Sequence, residues 1–163
     1  MQPHRTDAKL ESSGSVILEH ESFLIEGGVP LESLSEVLRL WSGDPEVGAH
    51  SLFLGQVRAD RHPEGEVTAI EFSAHRHMAE RALRALIPRV AAEHTVEAVR
   101  VYLQHGLGLI PVGGIAVIVA VASGHRAEAF AICRGILEAL KNEVPIYGRE
   151  LLGGDDYRWK VNT

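Results

Sequence analysis

Val96-Glu97-Ala98-Val99-Arg100-Val101-Tyr102-Leu103-Gln104 and Ile115-Ala116-Val117-Ile118-Val119-Ala120-Val121-Ala122-Ser123 flank the glycine-rich stretch His105 to Gly114. Both flanks are rich in β-branched residues and read as strands, with the stretch between them as a turn. A connection that short cannot carry a parallel crossover, so the pair is antiparallel. A helical pattern follows at once from Arg126. Strand, turn, strand and helix in close succession indicate an α+β protein with a largely antiparallel sheet.

Working outward, Ser15 to Ile25 reads as a strand or bent hairpin, and Gly27-Gly28 as a turn. Leu31, Leu34, Val37, Leu38 and Trp41 recur at helical spacing. Ala49–Arg58 and Val67–Ala74 are expected strands around a polar loop, Ala59 to Glu66. His77 to Glu93 is helical, and Pro145–Leu151 and Tyr157–Val161 are short final strands. Three helices and one domain over residues 15–163 result, after a polar tail at 1–14 that is expected to be flexible.

The helix from Arg126 carries a lysine in a notable place. At about 100° per residue, Phe130, Cys133, Leu137 and Leu140 cluster near the starting direction, with Arg134 and Lys141 bordering them. Glu128, Gly135 and Asn142 fall opposite. The expected core stripe therefore has Lys141 at its edge, where partial removal from water is one way to make an amine reactive. The plainer reading is a stem laid on apolar surface with its head in water.

Bulk properties narrow the function. Hydrophobic residues make up 45% and charged residues 23%, ordinary for a globular domain. The formal net charge of −6 argues against a general nucleic-acid binder but leaves room for a local basic pocket. Cys133, the one cysteine, excludes an intramolecular disulfide, and no cysteine spacing suggests zinc or an iron–sulfur cluster. The polar N-terminus lacks a signal-peptide core, and Ile115–Ala122 is too short to span a bilayer, so a cytoplasmic protein away from membranes is expected. Gly106-Leu107-Gly108 precedes a strand rather than a helix and fails as a dinucleotide fingerprint. His75 and His77 with Glu71 lie at a strand-to-helix junction and make a weak metal site.

One ordered set of short motifs remains: Phe53-Leu54-Gly55-Gln56-Val57-Arg58, Met78-Ala79-Glu80, Pro111-Val112-Gly113, His125-Arg126 with Ala129-Phe130, Leu140-Lys141, Val144-Pro145-Ile146, Arg149-Glu150 and Trp159. In order and spacing this set resembles the large, catalytic subunit of molybdopterin synthase, over about residues 15–161. The resemblance implies a sulfurtransferase of molybdenum cofactor biosynthesis. Sulfur would pass from the C-terminal thiocarboxylate of a small ubiquitin-like carrier subunit to cyclic pyranopterin monophosphate, forming the molybdopterin dithiolene. It also implies a homodimer at the core of a heterotetramer, with no cofactor and no metal in the step.

By that resemblance Lys141 is the catalytic lysine, and Gln56, Val57, Arg58, His125, Arg126, Gly148, Arg149 and Glu150 are candidate substrate-binding positions. The chemistry agrees: a phosphate and a thiocarboxylate both need cations, and arginine suits phosphate through its planar array of donors. The chain departs from the family pattern in three places. Gly148 stands where a second lysine is usual, His105-Gly106 replaces a His-Arg pair, and Phe72-Ser73 replaces an aromatic-Glu pair. Arg149 or Lys160 are candidates to replace the lost charge. The alternative is a diverged, non-catalytic module that binds a ubiquitin-like tail.

Overall fold

The computed structural model describes residues 6–9, 15–154 and 156–161. Its strands are β1 (Thr6–Lys9), β2 (Ser15–Leu18), β3 (Leu24–Glu26), β4 (Ala49–Gln56), β5 (Arg61–His62), β6 (Gly65–Ala74), β7 (Ala98–Pro111), β8 (Ile115–Ser123), β9 (Ile146–Leu152) and β10 (Tyr157–Trp159). Its helices are α1 (Leu31–Ser42), α2 (Arg76–Ala92) and α3 (Arg126–Glu143). The fold is α+β, with an antiparallel sheet apart from β2 and β3, which run parallel to β7.

β7 is the pivot. Its first half pairs with β8, Arg100 to His105 against Ala122 to Val117, and β8 in turn pairs with β4. Its last residues, Gly108 to Pro111, pair with β6, which carries β9 and then β10. The sheet thus divides along one long strand, and the cleft between its two wings holds the site described below.

The apolar run of β8 is buried on both faces. Val117, Val119 and Val121 belong to the main core with α2 and α3, whereas Ile118, Ala120 and Ala122 pack with Leu34 and Trp41 of α1. Strict alternation between two covered faces explains why this strand reads as unbroken hydrophobicity. Each fully buried valine or isoleucine contributes about 1.5–3 kcal/mol. No helix among the described residues is long and apolar enough to cross a membrane.

Four expectations need correction or restatement. Ser15–Ile25 forms two short strands on the same edge of β7, not a hairpin. Its middle is tied down by the Leu103 N–H donating to His20 Nε2 at 3.2 Å, and by the Phe23 and Leu24 N–H groups donating to Glu80. The glycine-rich stretch is mostly strand, because β7 continues to Pro111 and only Val112-Gly113-Gly114 turns, with Gly113 at φ +88°. Gly106 is there for close approach: a Cβ on it would stand 2.1 Å from the Gly27 carbonyl oxygen. The tail expected at 1–14 lies largely outside the described residues, and its described part, Thr6–Lys9, pairs antiparallel with β2.

The buried face of α3 is the fourth. Ala129, Ile132, Cys133, Ile136, Ala139 and Leu140 are buried, while Phe130 is 62% exposed. The stripe is rotated from the one centred on Arg126, and Lys141 is exposed rather than bordering the core. Small residues decide this. Gly135, expected to face outward, lets α3 approach α2 so closely that a Cβ there would meet Val90 Cγ1 at 2.8 Å.

Candidate functional site

A cavity of about 350 Å³ opens between the two wings of the sheet. The end of β4 and its continuation supply one wall, from Phe53 through Gln56 and Val57 to Arg58. The Val57 N–H donates to the Gly114 carbonyl and the Gly113 N–H donates back to the Val57 carbonyl, both at 2.9 Å. That exchange locks the strand end to the β7–β8 turn and sets where Arg58 emerges.

The floor comprises Ile70 and Phe72 of β6 with His105 of β7, and the last turns of α3 add Leu137, Leu140 and Lys141. In the last turn of a helix, Lys141 also complements the helix dipole. β9 adds Ile146, Gly148 and Glu150, which alternate to the cavity face. Asp60 and Lys160 complete the rim.

The site is a small, charged network. Arg58 grips Asp60 through Nε to Oδ1 and Nη2 to Oδ2 at 3.1 Å. This hydrogen-bonded guanidinium holds the Asp60 carboxyl below its ordinary value. Glu150 is buried, with His62 Nε2 at 3.1 Å and Arg158 Nε at 3.7 Å from its Oε2. His105 is also buried, and desolvation lowers its pKa and keeps it neutral. Its Nδ1 lies 2.7 Å from the Gly106 carbonyl oxygen, so Nδ1 carries the proton and donates it. Phe72 packs edge-on against it at 4.9 Å.

Of the positions singled out in the sequence, Lys141, Arg58, Gln56, Val57, Gly148 and Glu150 meet in this cavity. Arg149 does not. Strand alternation turns it to the opposite sheet face, where it pairs with Glu71 and lies over Tyr157 at 4.7 Å. His125 and Arg126 begin α3, whereas Lys141 ends it. At 1.5 Å per residue the two ends are about 22 Å apart, beyond the reach of either side chain. Asp60 and His105 escaped the sequence reading as site residues. The Arg58-x-Asp60 spacing was the available signal for the first; the second needed the tertiary arrangement. Among the described residues no group of three or more His, Cys, Asp or Glu is placed to hold a metal ion.

Comparison with known proteins gives a consistent picture. The family model described as MoaE protein matches residues 30–143. The chain is 40% identical over 118 residues to molybdopterin synthase catalytic subunit 1 of Mycobacterium tuberculosis, covering 72% of this chain and 78% of that protein. The crystal structure of molybdopterin synthase from Staphylococcus aureus superposes with a TM-score of 0.74 at 23% identity, over 87% of this chain and 98% of that one. A complex of subunits 1 and 2 of molybdopterin-converting factor from Helicobacter pylori contains a chain similar in fold. Its TM-score is 0.68 at 16% identity, over 83% of this chain and 87% of that one.

Proposed function

Because the chain belongs to the MoaE protein family and is a molybdopterin synthase catalytic subunit, we propose that its inter-wing cavity is the sulfur-transfer site. The substrates are the thiocarboxylated tail of a small ubiquitin-like carrier subunit and cyclic pyranopterin monophosphate. The observation that carries this reading is the convergence of Lys141 and Arg58 on one cavity floored by Phe72 and His105. Two anions must meet there, and an extended tail ending in small residues suits a narrow cleft.

In this mechanism the thiocarboxylate sulfur bonds to a side-chain carbon of the pterin as a carbon–oxygen bond at that carbon breaks, the oxygen leaving with the phosphate in one transfer and as water in the other. Water then adds to the acyl carbon and the acyl carbon–sulfur bond breaks. The sulfur stays on the pterin and a carboxylate stays on the carrier tail. A second loaded carrier repeats the step to complete the dithiolene. Lys141 orients the anionic tail and steadies charge on the departing sulfur. Arg58 takes the phosphate once it exchanges Asp60 for the ligand.

The distant His125-Arg126 pair enters through a second copy of the chain. β4 pairs only with β8 among the described strands, and it exposes Leu52 and Leu54; α3 exposes Phe130. A two-fold arrangement with the α3 helices antiparallel across these apolar side chains brings Arg126 of one copy beside Lys141 of the other. The helix N-terminus, with its free backbone N–H groups, then adds anion affinity. Each copy would carry one small subunit, giving a heterotetramer. The H. pylori complex of subunits 1 and 2 supports the coarser point that relatives of this fold bind a second subunit.

The test is reconstitution. The chain, a thiocarboxylated carrier and the cyclic pterin monophosphate should together yield molybdopterin. Lys141→Ala should lower turnover about 10²–10³-fold, the usual cost of removing one charge-stabilising donor. Normal turnover by that variant would falsify the assigned role.

A further inference from the structure

We infer that Lys160, just past β10, is the second ammonium of this cavity and holds substrate anion together with Lys141. The inference rests on the sulfur-transfer reading above and assigns a residue within that site.

Strand register places Lys160. Arg158 pairs with Glu150 across β10 and β9, and Trp159 pairs with Arg149. Continuing that register sets Lys160 against Gly148, and its backbone N–H donates to the Gly148 carbonyl at 2.9 Å. Alternation then sorts the side chains: Tyr157 and Trp159 share the outer face with Arg149, while Arg158 and Lys160 share the inner face with Glu150. Lys160 accordingly lines the cavity together with Lys141 and Arg58. Its charge also helps to lower the Asp60 carboxyl, after the larger effects involving Arg58.

Gly148 makes room for it. A Cβ on this residue would lie 3.1 Å from Phe72 Cε1 and 3.3 Å from Ile70 Cγ2. A side chain there would crowd the aromatic floor. With none, the inner face beside β10 is left to the residue that follows the strand, and that residue is a lysine.

The charge balance shows why the site needs it. The cavity lining contains two carboxylates, Asp60 and Glu150, and apart from Lys160 two cations, Arg58 and Lys141. Arg58 is already engaged by Asp60. Without Lys160 one subunit's cavity would be balanced, a poor receptor for a phosphate and a thiocarboxylate together. Lys160 tips it positive, from the β10 edge of the cavity.

Steady-state molybdopterin formation by the intact assembly tests this. Lys160→Met keeps the stem and removes the charge, and should raise KM for the cyclic pterin monophosphate about tenfold, with a smaller change in kcat. Lys160→Arg should recover most of the loss. Equal thermal midpoints for all three proteins are expected, since the residue is exposed. KM and kcat of Lys160→Met within twofold of the parent overturn the inference while leaving the sulfur-transfer reading intact. A loss that Lys160→Arg does not recover overturns it also. Absence of product from the parent chain overturns both.

Discussion

Arg126 and Lys141 begin and end the outer side of the same helix, about 22 Å apart along its axis, so no single copy of the chain brings them to one ligand. If the site is shared between copies, two individually inactive variants should complement each other. Random mixing of Arg126→Ala with Lys141→Ala chains produces about half mixed dimers, each with one intact site of two. About a quarter of the parent activity should return. Activity that stays at the level of the separate variants rules out the two-copy arrangement.

Asp60 occupies the guanidinium that, in the proposed site, would take the phosphate. Replacing it by Asn should free Arg58 and lower KM for the pterin substrate by about threefold, with kcat little changed. The carboxyl is held below its ordinary value, so the ion pair persists at neutral pH and is lost only as pH falls through that lowered value. The advantage of Asp60→Asn should therefore be constant from pH 6 to 8 and shrink only in acid. A KM that rises instead would show that Asp60 serves the substrate rather than competing with it.

Burial drives the pKa of His20 down to about 4, against the opposing pull of Glu80. Between 6.5 and about 4 the unfolded chain binds a proton at this position that the folded chain refuses. Stability contributed by neutral His20 is thus present above pH 6.5 and falls as pH drops through that window. Urea denaturation should lose about 2 kcal/mol from this group between pH 7 and pH 5. His20→Gln, which retains an acceptor for the Leu103 N–H, should flatten that part of the profile. An unchanged slope would assign the acid sensitivity to other groups.

Gly106 stands where relatives are expected to carry arginine. The Gly27 carbonyl fills the space a Cβ would need, and Ile110 Cδ1 would lie 2.7 Å from it. Gly106→Ala should cost about 3 kcal/mol through overpacking at a backbone contact that cannot yield easily. The thermal midpoint reads this directly. A midpoint within a degree or two of the parent would mean that the Gly27 loop moves aside freely.

Much of the architecture was legible in the chain. Helical spacing located α1 and α2 to within a residue or so, and the β8 run announced a strand whose length admitted no other element. Two differences between the sequence pattern and the fold share a cause. The stretch from His105 to Pro111 looked like a turn because its glycines suggested chain reversal, yet Gly106 is needed for contact with Gly27 and Gly108 for a left-handed backbone inside the strand. The face of α3 was misplaced because Phe130 and Leu137 outweighed Ala129 and Gly135 on hydrophobicity. Packing chose the smaller residues, since they let helix and sheet approach. Glycine and alanine record what a neighbour does, and the neighbour is invisible in one dimension.

Residue types and their order were enough to establish the α+β class, the family resemblance and the presence of a lysine and an arginine suited to anionic substrates. These follow from local periodicity and from side-chain chemistry, which travel with the chain. Which cations share a cavity was settled only by folding. Strand alternation sent Arg149 outward and Lys160 inward, and the length of α3 separated Arg126 from Lys141. Such outcomes depend on register and on distances through space, and a register is defined only once one strand lies against another.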